Sequence, residues 1–128
     1  LGGNDSKQRF GLNPMTIGEG IMQLIRLTRL YAADAAGNPS KILLIAPPPF
    51  REELRRTRYW DVFGPQALEV MRGLTAEYAR VARLRRCEFL DAGAVAKLSE
   101  IDALHFTRED HLRLAEAVCA KVKDAFKD

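Results

Sequence analysis

The sequence predicts an α/β fold, read as the C-terminal part of a doubly wound parallel sheet. Three observations carry that prediction. Lys41 to Ala46 contains the continuous apolar run Ile42-Leu43-Leu44-Ile45-Ala46, the pattern of a strand buried on both faces of a parallel sheet. Segments before and after it repeat apolar residues at spacings of three, four and seven, which marks amphipathic helices. A second short apolar segment, Cys87 to Leu90, follows the second helical stretch, so strand and helix alternate.

Phe10 to Asn13 reads as a turn. Asn13 before Pro14 starts a helix, because asparagine caps an N-terminus and proline suits the first helical position. That helix is expected to run to about Ala36, with Ile17, Ile21, Leu24 and Tyr31 on its inner face and Gly37-Asn38-Pro39 ending it. Pro47-Pro48-Pro49 halts the strand, since proline donates nothing to a ladder and disfavours helix before it. Phe50 to Phe63 has no consistent period and is expected to be a loop at the carboxyl end of the strand, where sites of open sheets form. A second helix spans about Pro65 to Leu84, turning Leu68, Met71, Tyr78 and Val81 inward, and leads into the second strand. After Asp91-Ala92-Gly93 the last helix begins near Thr107, with Asp110 placed as in a capping box and Leu112, Ala115, Val118, Val122 and Phe126 as its stripe.

The whole of 1–128 reads as one domain, yet two strands do not complete such a sheet. Ile42 to Ala46 calls for a hydrogen-bonded neighbour on each side, and the chain offers one. Leu1 is expected to be the last residue of the other, which makes the chain the C-terminal portion of a larger domain.

At 47% hydrophobic and 29% charged residues the composition is that of an ordinary globular domain, which argues against disorder. No apolar run approaches the roughly 20 residues that span a bilayer, so no membrane partner is expected. A formal charge of +3 is too small to point to nucleic acid, and the arginines at 51, 55, 56, 58 and at 80, 83, 85, 86 read as solvated faces or subunit contacts. Cys87 and Cys119 are too few for a disulfide framework and read as small core residues in a reducing compartment, hence a cytoplasmic location, with any export signal lying outside these residues. Two histidines and two separated cysteines lack metal-ligand spacing, and no cofactor is expected.

Two short segments carry chemistry. Gly2-Gly3-Asn4-Asp5 is common turn chemistry, and it also presents an amide able to donate to a developing oxyanion. Asp102-Ala103-Leu104-His105 is a frequent helix start, and it also supplies a general base with its orienting acid. The serines Ser6, Ser40 and Ser99 do not stand at a strand-to-helix turn that would expose a nucleophile. His111 falls inside the last helix and suits a surface or supporting role.

Leu1-Gly2-Gly3-Asn4-Asp5, then Lys41 to Pro49, Phe89-Leu90-Asp91-Ala92 and Asp102 to Thr107 stand in the order seen in SGNH (GDSL-type) hydrolases. The chain resembles their bacterial arylesterase-like members over its whole length. The resemblance implies a three-layer α/β/α, flavodoxin-like sheet and a serine esterase acting on small carboxylic esters, thioesters or acetylated sugars. It assigns the oxyanion amide to Asn4, the general base to His105 and the orienting acid to Asp102. It places the nucleophile in a Gly-Asp-Ser block on an N-terminal segment absent from this chain, so that segment is an expected partner and the isolated chain is expected to be inactive. Gly2 would allow the tight turn beneath Asn4, and Asp5 would hold that loop locally. Pro47 to Phe50, Pro48 among them, and the loop through Trp60 would line the acyl or alcohol pocket, with Phe106 as a further wall, or else cover the core or a subunit contact. The family usually has glycine directly after the aspartate, and this chain departs from it with Ala103. A homo-oligomer is compatible with the resemblance. The rival from another class is a noncatalytic α/β binding module that retains a hydrolase-like sheet.

Overall fold

The computed structural model describes Leu1 to Lys127. Helix α1 (Pro14–Tyr31) starts as its sequence directs: the extended Asn13 accepts the Thr16 N–H at 3.0 Å, and Pro14 takes the first helical position. It ends five residues before the expected Ala36. Asp34 offers the backbone a competing turn, accepting the N–H groups of Ala36 at 2.9 Å and Asn38 at 2.8 Å, and Ala33 bridges to Pro39. The inner face is Ile17, Ile21 and Ile25, all buried, while Leu24 and Tyr31 are exposed. A strict four-residue step keeps the isoleucines against the next long helix, and residue 24 is rotated about 100° away from residue 25.

Strand β1 (Leu43–Ala46) is followed by a turn of 3-10 helix at Glu52–Arg56 and by the one-turn helix α2 (Trp60–Phe63). The stretch expected to be a loop is thus partly ordered, and it delivers Phe50, Leu54 and Phe63 to the core. Helix α3 (Pro65–Arg85) buries Leu68, Met71, Tyr78 and Val81 to 1% exposure or less, as the pattern predicted. Gly73 lets α1 approach it closely: a Cβ there would lie 2.6 Å from Pro14 Cγ. Arg86, in the left-handed region at φ 51°, closes the helix, and the Arg29 guanidinium donates to the carbonyls of Arg85 and Arg86.

Strand β2 (Glu88–Asp91) pairs parallel with β1, Leu43 opposite Glu88 and Ala46 opposite Asp91. The fold class is mixed α/β with a two-stranded parallel sheet. Burial of β1 on both faces was expected; Leu43, Leu44 and Ile45 are instead half-buried, and only Ala46 is fully so. Helix α3 packs on both strands, the last helix packs on β2, and among the described residues β1 has one hydrogen-bonded neighbour.

That last helix, α4 (Arg108–Ala125), is capped by Thr107, whose hydroxyl oxygen accepts the Asp110 N–H at 3.2 Å. The capping box is not reciprocal. Asp110 turns its carboxylate to the Thr107 hydroxyl at 2.8 Å and the Lys97 N–H at 3.1 Å. This anchorage sets the helix rotation, so Leu112, Ala115, Val122 and Phe126 of the expected stripe are exposed and the half-buried positions are Leu114, Ala117, Val118, Lys121 and Ala125. Cys119 is exposed and Cys87 half-buried, so the expectation of two core cysteines fails for Cys119.

Candidate active site

The turn beneath Asn4 depends on a residue without a side chain. Gly2 has φ +100°, and a Cβ there would meet the Tyr78 hydroxyl at 2.5 Å. That hydroxyl donates to the Leu1 carbonyl at 3.1 Å, which ties the turn to α3. Burial pushes the Tyr78 phenol up to about 12, with the nearby Asp5 charge adding to it, so the hydroxyl keeps its proton. Ser6, not the expected Asp5, closes the loop. Its side chain is 2% exposed, donates to the Gly3 carbonyl at 2.7 Å, and its N–H reaches the Gly2 carbonyl at 3.2 Å. Asn4 is left exposed, and its side chain makes no hydrogen bond among the described residues.

The Asp-His loop is closed at its base, where Leu98 bridges antiparallel to Phe106 and the Ser99 N–H donates to the His105 carbonyl at 2.7 Å. Inside it Ala103 is fully buried in the left-handed region, φ 61°, and its N–H reaches the Ser99 carbonyl at 2.9 Å. The departure from glycine therefore falls at a position whose backbone favours glycine, and an alanine methyl is the smallest group that occupies it. The fold brings Asp102 Oδ2 to 2.7 Å from His105 Nδ1. Asp102 Oδ1 accepts the N–H groups of Leu104 and His105, each at 3.0 Å. Desolvation pushes the Asp102 carboxyl upward, but these backbone and imidazole hydrogen bonds outweigh it and lower the pKa from 3.8 to about 2. Arg51 reaches across to Glu100 on this loop at 3.0 Å, linking it to the segment after β1.

Asn4 and His105 share the wall of one cavity of about 400 Å³, together with Gly3, Lys7, Phe50, Tyr59, Phe63 and Leu104. A second cavity of about 400 Å³ also includes Asn4, and Pro48 and Phe106 line it with Pro47, Met71 and Leu98. Trp60, expected to line the pocket, lines neither. It stands at the start of α2, which rotates Val62 and Phe63 toward the first cavity and leaves the indole under the Arg55 guanidinium, 4.9 Å from the ring centroid. Phe50 and Tyr59 lie within the segment expected to line the pocket, whereas Lys7, Val62, Phe63 and Leu104 are wall residues that sequence reasoning missed.

The three serine hydroxyls are engaged away from His105: Ser6 with Gly3, Ser40 with the Ala32 carbonyl, and Ser99 accepting the Ile101 N–H at 3.0 Å. His111 stacks edge-on to Phe106 with ring centroids 5.3 Å apart. An exposed amide and an Asp-paired imidazole thus open on one largely apolar cleft, an arrangement chemically able to donate a hydrogen bond to a developing oxyanion and to accept a proton.

Comparison with solved structures gives the same class: the chain has the fold of SGNH-type esterases, as its resemblance to arylesterase-like members implied. It superposes on the aryl esterase of M. smegmatis with a TM-score of 0.85 at 25% identity, covering 97% of this chain and 58% of that one. A carbohydrate acetylesterase from Sinorhizobium meliloti gives a TM-score of 0.86 at 29% identity, covering 98% and 59% respectively. A further solved chain is 33% identical with a TM-score of 0.91, over all of this chain and 58% of its own length. The chain thus spans somewhat more than half the length of each of these three solved chains. No family model and no curated protein matched it.

Proposed function

We propose that this chain forms the C-terminal part of a serine-dependent carboxylic ester hydrolase, completing a three-layer doubly wound sheet with an N-terminal segment that carries the nucleophile. The observation that carries this reading is the 2.7 Å contact between Asp102 and His105 beside a cavity whose wall also holds Asn4. Asp102 holds the imidazole proton on Nδ1, leaving Nε2 to take the serine proton during attack and return it to the departing alkoxide. The Asn4 amide donates to the carbonyl oxygen as it gains charge, and an apolar cleft strengthens that interaction. Small aryl or acetyl esters fit this reading, as does a cytoplasmic location with assembly into a homo-oligomer.

A fluorophosphonate probe and an aryl acetate test the division of labour. The 128-residue chain should remain unlabelled and show almost no turnover; labelling of Ser6, Ser40 or Ser99 would overturn the assignment of the serine. In the protein that joins this chain to its serine-bearing segment, His105→Ala should lower kcat by at least about a thousandfold. Unchanged ester turnover in that variant would instead mark a binding module.

A further inference from the structure

The wall of the cavity shared by Asn4 and His105 contains no acidic residue, and it contains one lysine. Lys7 is half-buried, lies with its ammonium 5.3 Å from the centroid of the Phe63 ring, and is paired with no carboxylate among the described residues. A second cation stands behind the same wall. The Arg58 guanidinium lies 5.0 Å from the Tyr59 ring centroid and donates to its hydroxyl at 3.0 Å, and it too has no carboxylate partner among the described residues. The rest of the lining is largely aromatic and aliphatic: Phe50, Tyr59, Val62, Phe63 and Leu104.

A half-buried ammonium held over the Phe63 ring at the edge of an apolar cleft has shed part of its water and has no carboxylate partner among the described residues, which favours an anion beside it. We propose that Lys7 selects aromatic groups bearing a carboxylate for this cavity, so that the preferred esters carry a negatively charged aryl group in the part seated here. The substrate class rests on the ester-hydrolase reading, whereas the binding preference rests on the cavity alone. The ring lies between Phe50, Tyr59 and Phe63, its carboxylate meets the Lys7 ammonium, and Arg58 adds a longer-range attraction through the Tyr59 side.

The test is a titration of the protein that joins this chain to its serine-bearing segment with benzoate and, separately, with the neutral benzamide, followed by NMR at the Asn4 side-chain amide and the Leu104 and His105 backbone amides. Benzoate should bind about tenfold more tightly than benzamide at low salt, the difference shrinking as salt is added. Lys7→Met should remove the preference, Lys7→Arg should retain it, and His105→Ala should also retain it, separating the ammonium from the imidazole as its source. Equal affinity for the two probes, no saturable binding of benzoate, or a preference that survives in Lys7→Met or disappears in His105→Ala overturns the proposal. None of these outcomes bears on ester turnover, which is decided by His105→Ala in the serine-bearing protein.

Discussion

The Tyr78 hydroxyl donates to the carbonyl of Leu1 across 77 positions of sequence, and it stands where a side chain on Gly2 would have to go. One buried phenol therefore both anchors the Asn4 turn and demands a glycine within it. Tyr78→Phe removes the bond while keeping the packing, and should cost about 1 kcal/mol in chemical denaturation. Gly2→Ala should cost more, about 2 kcal/mol or above, because its Cβ clashes with the phenol and its backbone stays left-handed. The double variant should recover part of that loss. Strict additivity of the two changes would show that the clash is not with the hydroxyl.

Asp102 Oδ2 lies 2.7 Å from His105 Nδ1, a contact that favours the tautomer with its proton on Nδ1. In the neutral imidazole the proton should reside on Nδ1, facing the carboxylate, and nitrogen NMR of the ring reads this directly. Asp102→Asn should shift that population, because an amide oriented by the same backbone N–H groups no longer offers a charged acceptor. In the serine-bearing protein the same change should lower kcat by about ten-thousandfold, while leaving the fold intact.

Acid should weaken the chain through two carboxylates. Hydrogen bonds hold Asp102 at about 2, and the Thr107 hydroxyl and Lys97 N–H hold Asp110 below its ordinary range. A carboxylate whose folded pKa is depressed contributes stability above its unfolded value, and loses it as pH falls toward the folded one. Melting temperature should therefore be level above about pH 5 and drop between about pH 4 and pH 2, with a shallower drop in Asp102→Asn.

Asp110→Ala should destabilise by about 2 kcal/mol, more than the loss of a surface ion pair to Arg113 explains, because the Lys97 N–H loses the carboxylate that accepts it. Asp110→Asn, which retains an acceptor, should cost less. Equal losses would place the effect in the charge rather than in the hydrogen bond.

Ala103 offers a steric test. Valine there would combine a β-branched side chain, a left-handed backbone and complete burial, and should cost about 2–4 kcal/mol. Glycine relieves the backbone but gives up a buried methyl group, so Ala103→Gly should stay within about 1 kcal/mol of the parent. A well-folded Ala103→Val chain, judged by its melting curve, would show that the loop opens around the new side chain.

Local rules made much of this protein legible in its sequence. Asn13-Pro14 and Thr107 act within one helical turn, so caps and helix starts followed from neighbouring residues alone. The inner stripe of α3 was equally legible, because a helix packed along its length repeats its burial at every turn. The Asp102 and His105 pair was legible for the same reason, being three residues apart on one closed loop. Tertiary structure alone decided what depends on partners far along the chain. Helix rotation about its own axis is set by what it packs against, which is why α1 buries Ile25 in place of Leu24 and α4 exposes Leu112 and Phe126. Cavity walls draw on distant segments, so Lys7 and Phe63 joined Asn4 and His105 while Trp60, a few residues from Phe63, turned away. The sequence by itself determined which groups the site could use; packing decided which of them meet, because contact across a fold depends on direction as well as on residue type.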